Sequence, residues 1–471
     1  MLDIDTFIEK FEPRVSAAMT KNDVPGMAIA LVLDDQVIYS RGFGSRNVKK
    51  FLPFTPDTLN GFGSCTKSFT CLAIMQLYSQ GKLDIHDPVS KYIPFKLGLK
   101  DYPITIHHFM THTSGIPNLG SAELVIGQNY PINLKFPSVP FSSWEDFYTH
   151  FNLAQDEILF KPQEYFFYFN GGYTALGHII TRVSGMRYED YVRKHILDPL
   201  DMNRSGFLES CISKDDNVSV PYEMLPGKNG KPTPTPAEFP FNQFIFAPGG
   251  LISSVNEMAN YIMMMMNGGQ FGENQLLDED KINEMTKMHH VGQIHSILSA
   301  FGDQSGYGYG WAMCDNFFGN TLIQHAGGIT GGTSLIGFIK ELKLGFTAIG
   351  NTAGFPVHEV YAALALLQGK DPDREVPFFL RDNHYNKLCG NYKNYKGIGK
   401  GKIVNKLGVL HLETPVPTAS YPLFPSSDAH EVLDFYILTP TGVKMPVVFR
   451  FDDSDKVHFT FERNSYHKVG E

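Results

Sequence analysis

The feature that most constrains this chain is a helix with no polar side. Phe69, Cys71, Leu72, Ile74, Met75 and Leu77 put apolar side chains on nearly every face of its turns. A helix apolar all round has nothing to offer water and must be enclosed by other layers. Gly81 supplies a C′ residue to end it. Immediately ahead stands Gly61-Phe62-Gly63-Ser64-Cys65-Thr66-Lys67-Ser68, so the buried helix opens on a serine and a lysine three residues apart, which share a face. A serine hydroxyl becomes a nucleophile when a neighbouring base takes its proton. Lys67 can be that base where desolvation lowers its pKa. Cys65 beside it is expected to be reachable by solvent and open to modification, whereas its spacing from Lys67 makes it a poorer nucleophile than Ser64.

Ser-x-x-Lys also occurs at Ser79/Lys82 and at Ser465/Lys468, so the spacing alone does not single out Ser64. Two further elements do. The first is Tyr168-Phe169-Asn170. A phenol supported by a cation such as Lys67 can relay a proton, and Asn170 can donate to a substrate carbonyl and hold the lysine through its oxygen. The second is His325-Ala326-Gly327-Gly328 at the end of an apolar strand, where small residues admit a substrate against the strand edge. The N–H of Gly328, paired with that of Ser64, would form an oxyanion hole. Tyr392/Asn394 in later β text and His290/Gly292 in helical or loop text are weaker copies of these elements. His112 is read as structural, holding its Thr113-Ser114-Gly115 turn.

At 471 residues more than one domain is expected. Residues 2–21 carry helical spacing. Pro25 to Leu33 and Val37 to Tyr39 read as a hairpin across Asp34-Asp35. Strands return at Gly310 to Cys314, Thr321 to His325, Ser334 to Ile339 and Leu344 to Gly350, and a helix follows from Val357 to Gln368. The intervening text is helical and loopy. Asn118 to Phe151 shows no period, residues 226–240 read as a long exposed loop, and Ser254 with Glu257 opens a helix to about Asn267. Met263 to Met266 reads as core. These patterns predict an α+β fold, with one sheet drawn from both ends of residues 1–380 and a helical insert over about 84–300. Residues 383–471 change to short strands. Phe449/Phe451 and Phe459/Phe461 alternate with polar neighbours across the Asp452–Lys456 turn, which predicts a separate small antiparallel β-barrel.

The net charge of −9 argues against nucleic acid or an anionic membrane as a partner. No apolar run is long enough to span a bilayer, and the acidic, amphipathic N-terminus lacks the form of a secretory signal, so a cytoplasmic location is expected. The five cysteines and the histidines show no metal-ligand spacing, so neither a metal nor a cofactor is expected.

Taken in this order, the three elements resemble the serine β-lactamase and penicillin-binding-protein superfamily, in its class C β-lactamase-like, peptidase S12 branch. Thr105–Ile116, Ala247-Pro248-Gly249-Gly250-Leu251 and Tyr307-Gly308-Tyr309-Gly310-Trp311 add to the resemblance, which covers roughly residues 5–370. The C-terminal strands resemble the lipocalin-like domain of some relatives. The resemblance implies an antiparallel sheet flanked by helices. It also implies a serine hydrolase in which Ser64 is acylated, Lys67 and Tyr168 share acid and base work, and Asn170, Gly327 and Gly328 bind substrate. His325 stands where many relatives carry lysine. Histidine is mostly neutral at pH 7, so the expectation moves from carboxylate-bearing penicillins toward small-molecule esters, amides or short peptides, as in D-aminopeptidase and esterase members. Peptidase, esterase and β-lactamase remain open at this level. So do an acyl-binding sensor without turnover, an acyltransferase and a homo-oligomer.

Overall fold

The apolar helix expected from the sequence forms as Thr66–Ser79 and is buried from Thr66 to Leu77, its polar residues Thr66, Lys67, Ser68, Thr70 and Gln76 included. Gly81 takes φ +66°, and the N–H groups of Gly81 and Lys82 return to the carbonyls of Tyr78 and Leu77, satisfying carbonyls that the helix end leaves free. The computed structural model describes residues 3–128, 142–227, 232–292, 294, 296–302, 304–353, 358–415 and 418–470. Ile4–Val360 makes one compact unit, and Tyr361–Glu471 makes the greater part of another.

In the first unit the buried helix packs against helices Asn170–Ser184 and Gln243–Gly249. The large antiparallel sheet has nine strands. Their order across the sheet is His290–Val291, Ser305–Tyr307, Ala312–Phe317, Asn320–Ile329, Gly332–Ile339, Leu344–Gly350, Gly26–Leu33, Gln36–Asn47 and Leu52–Pro53. The chain's first strand therefore pairs with Leu344–Gly350, Met27 opposite Gly350 and Leu33 opposite Leu344. Gly26–Leu33 is apolar on both faces and buried almost throughout. Helix Val255–Met266, with Met263 to Met266 buried, packs against these two strands. Its N-cap Ser254 accepts from the Glu257 N–H. The Glu257 carboxylate instead accepts from the Arg204 N–H and the Ser205 hydroxyl.

Several sequence expectations change. The text without a period, Asn118 to Phe151, holds helices Ser121–Gln128 and Trp144–Asn152; residues 129–141 between them lie outside the described residues. The expected loop at 226–240 contains a strand, Pro232–Pro236, paired with Tyr222–Pro226. Its prolines alternate with Thr233 and Thr235, so the residues that cannot donate fall at every second position, which a two-stranded ribbon tolerates. Lys228 to Lys231 lie outside the described residues. His290 lies in a short strand at the sheet edge rather than in a helix or loop.

In the second unit, helix Pro377–Leu388 precedes a closed barrel of eight antiparallel strands running from Gly390–Lys393 to Asn464–Gly470. Its interior is filled by side chains, as in other small barrels. Phe449 pairs with Phe459 across two strands, and their rings lie 5.5 Å apart. Phe435 and Tyr392 pack on them in turn. Phe451 lies on the same face as Phe449 but is the last residue of its strand, where it is 37% exposed, so of the pair Phe449/Phe451 only the first is core. No helix among the described residues is long and apolar enough to cross a membrane.

This inside–outside division predicts unequal costs. Phe449→Ala should lower the stability of the barrel unit by about 3–5 kcal/mol, and Phe451→Ala by no more than about 0.5 kcal/mol. Denaturant unfolding followed by tyrosine fluorescence would read both.

Candidate active site

Ser64 sits in a single 3-10 turn, Gly63–Cys65, that runs straight into the buried helix. The turn is half-open at Ser64 and closed on both sides of it. Lys67, on the first turn of the helix, is fully buried. Its Nζ lies 3.0 Å from Ser64 Oγ and donates to the Pro248 carbonyl at 2.7 Å. The same nitrogen stands 4.7 Å from the ring centre of Tyr168 and 5.3 Å from that of Tyr173. Burial drives the Lys67 pKa down from its ordinary 10.5 to about 7, with weak opposition from Cys65, Glu123 and Cys71. Tyr168 stands two residues before helix Asn170–Ser184; burial holds its phenol above its ordinary range, with the Ser64 hydroxyl near enough to oppose that rise.

The strand that carries His325 runs from Asn320 to Ile329, so the histidine is mid-strand rather than at the strand end. Strand Ala312–Phe317 pairs with it only as far as Gln324, which leaves the edge from His325 to Ile329 free on that side. One face of the same stretch meets the serine turn backbone to backbone. A Cβ on Gly327 would fall 2.0 Å from the Phe62 carbonyl oxygen, and one on Gly63, which has φ +51°, would fall 2.7 Å from the Gly328 nitrogen. Neither position has room for a side chain. A Cβ on Gly328 would meet nothing within 4 Å, so that residue faces open space beside Ser64.

The His325 side chain is buried and fully engaged. Its Nδ1 lies 2.6 Å from the Ala326 carbonyl, which can only accept, so Nδ1 carries the proton. Its Nε2 then accepts from the Tyr307 hydroxyl at 2.8 Å. Burial, with the charge of Lys67, drives the ring pKa down to about 3. The expectation of a neutral imidazole holds, and both of its nitrogens are committed within the protein.

Ser64, Lys67, Tyr168, His325, Gly327 and Gly328 are thus drawn from separate stretches of chain to one place. Two expectations are corrected. Asn170 makes no side-chain hydrogen bond to Lys67; the partners of that ammonium are Ser64 and the Pro248 carbonyl. A backbone carbonyl has no residue-type signature, so only the neighbouring Ala247-Pro248-Gly249-Gly250 text pointed there. Cys65 is not reachable: it has no exposed surface, its thiol donates to the His325 carbonyl at 3.1 Å and lies 3.2 Å from Ser334 Oγ, and burial pushes it up to about 12. The other copies fall elsewhere. Ser79/Lys82 sit on the exposed end of the helix, and Tyr392/Asn394 and Ser465/Lys468 lie in the barrel unit. Among the described residues no group of three or more His, Cys, Asp or Glu is arranged to hold a metal.

The family model described as Beta-lactamase matches residues 11–370. A second, described as Pab87 octamerisation domain, matches residues 372–467. Protein flp of Staphylococcus aureus strain MW2 is 28% identical over 354 residues, 74% of this chain and 62% of that protein. The chain therefore spans about three fifths of the length of the curated relatives it first matches. The octameric penicillin-binding protein homologue from Pyrococcus abyssi superposes with a TM-score of 0.89 at 37% identity, covering 98% of this chain and 100% of that one. The D-amino acid amidase from Ochrobactrum anthropi SV3 superposes with a TM-score of 0.62 at 20% identity, over 77% of this chain and 99% of that one, a likeness of fold alone.

The closed environment of Cys65 is open to a direct check. With an aromatic disulfide reagent, the native protein should show one fast thiol, Cys211, the exposed cysteine, and Cys211→Ser should remove that phase. Cys65 should react only on unfolding; rapid modification of Cys65 in the native state would contradict the contacts described.

Proposed function

The chain belongs to the beta-lactamase family, and on that premise we propose that it is a serine hydrolase working through an acyl-enzyme on Ser64. The observation that carries this reading is the Lys67 amine, buried and 3.0 Å from Ser64 Oγ, with its pKa brought to about 7 by desolvation. Near neutral pH a sizeable share of this amine is uncharged and can take the serine proton. Tyr168, its phenol held above the ordinary range, keeps its proton and is suited to give it up to a leaving group.

In the proposed reaction Ser64 Oγ attacks a carbonyl carbon as its proton passes to Lys67. The oxyanion rests against the N–H groups of Ser64 and Gly328. The leaving nitrogen or oxygen departs with the Tyr168 proton, which the Lys67 ammonium restores. Water then attacks the acyl carbon by the reverse route and frees Ser64. Asn170, Gly327 and Gly328 border the place where the acyl group lies.

The substrates proposed are amides, short peptides and esters without a required carboxylate, of the D-aminopeptidase and esterase type. Support comes from His325: it is neutral and both its nitrogens are bonded within the protein, so it supplies no fixed cation to a carboxylate. For the barrel unit we propose assembly of copies of the chain, supported by the match to an octamerisation domain and by the Pyrococcus abyssi homologue described as octameric.

Incubation with p-nitrophenyl esters, D- and L-amino-acid p-nitroanilides and nitrocefin, followed by intact mass, tests the reading. Turnover should vanish in Ser64→Ala; a stable adduct without turnover would mean an acyl-binding protein instead. The dependence of kcat/KM on pH should rise through a single limb near pH 7 as Lys67 loses its proton. His325, at about 3, and His112, well below its ordinary value, do not titrate there, so a flat profile across pH 6–8 would remove Lys67 as the base. His325→Lys should raise activity toward carboxylate-bearing substrates relative to neutral ones, and an unchanged ratio would defeat the charge argument.

A further inference from the structure

His112 stands in a conformation that few residues other than glycine adopt, with φ +58°. It is buried, 1% exposed. Its carbonyl accepts from the Phe167 N–H at 2.9 Å, and its Nδ1 accepts from the Phe169 N–H at 2.9 Å. These two donors flank Tyr168 in the chain. The His112 ring also lies against the Tyr168 ring, centres 4.2 Å apart at 35°. Tyr173 and Tyr307 stand on it at 5.0 Å each.

A histidine serving only as packing would have both nitrogens paired or would be replaceable by an apolar ring. Here the opposite holds. Because Nδ1 accepts, the ring proton sits on Nε2, which is buried and has no hydrogen-bond partner among the described residues, an arrangement that costs stability. The left-handed backbone adds to that cost. What the two costs secure is that one residue's carbonyl and ring both reach the same short segment, on either side of Tyr168. Phe169 is also the N-cap position of helix Asn170–Ser184, so the His112 ring holds the chain where that helix begins.

We propose that His112 is a positioning residue of the site, which clamps the Phe167–Phe169 segment and so fixes the Tyr168 phenol at Ser64 and Lys67. The proposal rests on the reading of Tyr168 as the acid of the proposed hydrolysis. His112 does not touch substrate and exchanges no proton; it acts through the place of Tyr168.

The test compares two replacements that both accept a left-handed backbone. His112→Gly removes the ring and its acceptor, and His112→Asn restores an acceptor close to the position of Nδ1. Each is measured alone and combined with Tyr168→Phe. The readouts are kcat and KM for p-nitrophenyl acetate and the rate of Ser64 labelling by a fluorophosphonate followed by intact mass. His112→Gly should lower kcat by on the order of 10- to 100-fold, the penalty of a displaced catalytic group, with KM within about twofold. His112→Asn should recover most of that loss. In the Tyr168→Phe background, His112→Gly should change kcat no further, since the two act as one unit. Equal kcat for the Gly and Asn variants, or the same loss with and without the Tyr168 hydroxyl, would overturn the clamp. Wild-type kcat and labelling in Tyr168→Phe alone would instead overturn the role of Tyr168 from which the clamp derives.

Discussion

The dryness of one amine governs the rest of the first unit. Lys67 Nζ has Ser64 Oγ and a single carbonyl for hydrogen-bond partners and two tyrosine rings within about 5 Å. Moving its pKa from 10.5 to about 7 corresponds to roughly 5 kcal/mol of bias against the charged form. Such a bias survives only if water is kept out on every side. The buried helix meets that need: its polar side chains Thr66, Ser68, Thr70 and Gln76 all bond to carbonyls within the protein, so none of them calls for a solvated side that would open a path to Nζ. Helices Asn170–Ser184 and Gln243–Gly249 seal two sides, and the second of them also delivers the Pro248 carbonyl.

The sheet seals the third side by backbone contact. Side chains at Gly63 or Gly327 would collide with the opposing main chain, so the serine turn and the His325 strand approach more closely than any pair of ordinary residues would allow. Cys65 and Ser334 tie the same junction through the His325 and Phe62 carbonyls. The serine, its base and the strand edge are therefore set by long-range contacts between segments more than 250 residues apart in sequence. Local changes at this junction reach Ser64 directly, because nothing flexible lies between.

What could be read in the sequence follows the same division between local and distant causes. Ser64 and Lys67 meet because of helical periodicity, which four residues suffice to encode. The barrel strands and the sheet strands show as alternation or as short apolar runs, again local. The Pro248 carbonyl that Lys67 bonds carries no sequence signal, because a carbonyl oxygen looks the same on every residue, whereas the side-chain chemistry of Asn170 points to that residue as the partner. Cys65 reads as accessible beside a nucleophile, and it is the pairing with Ser334 and His325 from the far side of the chain that closes it. The Pro232–Pro236 strand was hidden by composition: proline suggests a loop until the alternation with threonine is set against a partner strand.

The same dry pocket also separates the two proton carriers of the proposed reaction. Burial disfavours whichever form is charged. For Lys67 that form is the protonated one, so its pKa falls; for Tyr168 it is the deprotonated one, so its pKa rises. One environment thereby separates two groups whose ordinary pKa values nearly coincide into the base and the acid of the proposed reaction. His325 belongs to the same arrangement. A lysine in its place would put a second cation near Lys67 and push the Lys67 pKa lower still, whereas a neutral imidazole bonded to Tyr307 and to the Ala326 carbonyl leaves desolvation as the largest cause, opposed by Cys65, Glu123 and Cys71. The neutral imidazole on which the proposed preference for substrates without a carboxylate rests thus also leaves Lys67 titrating near neutral pH.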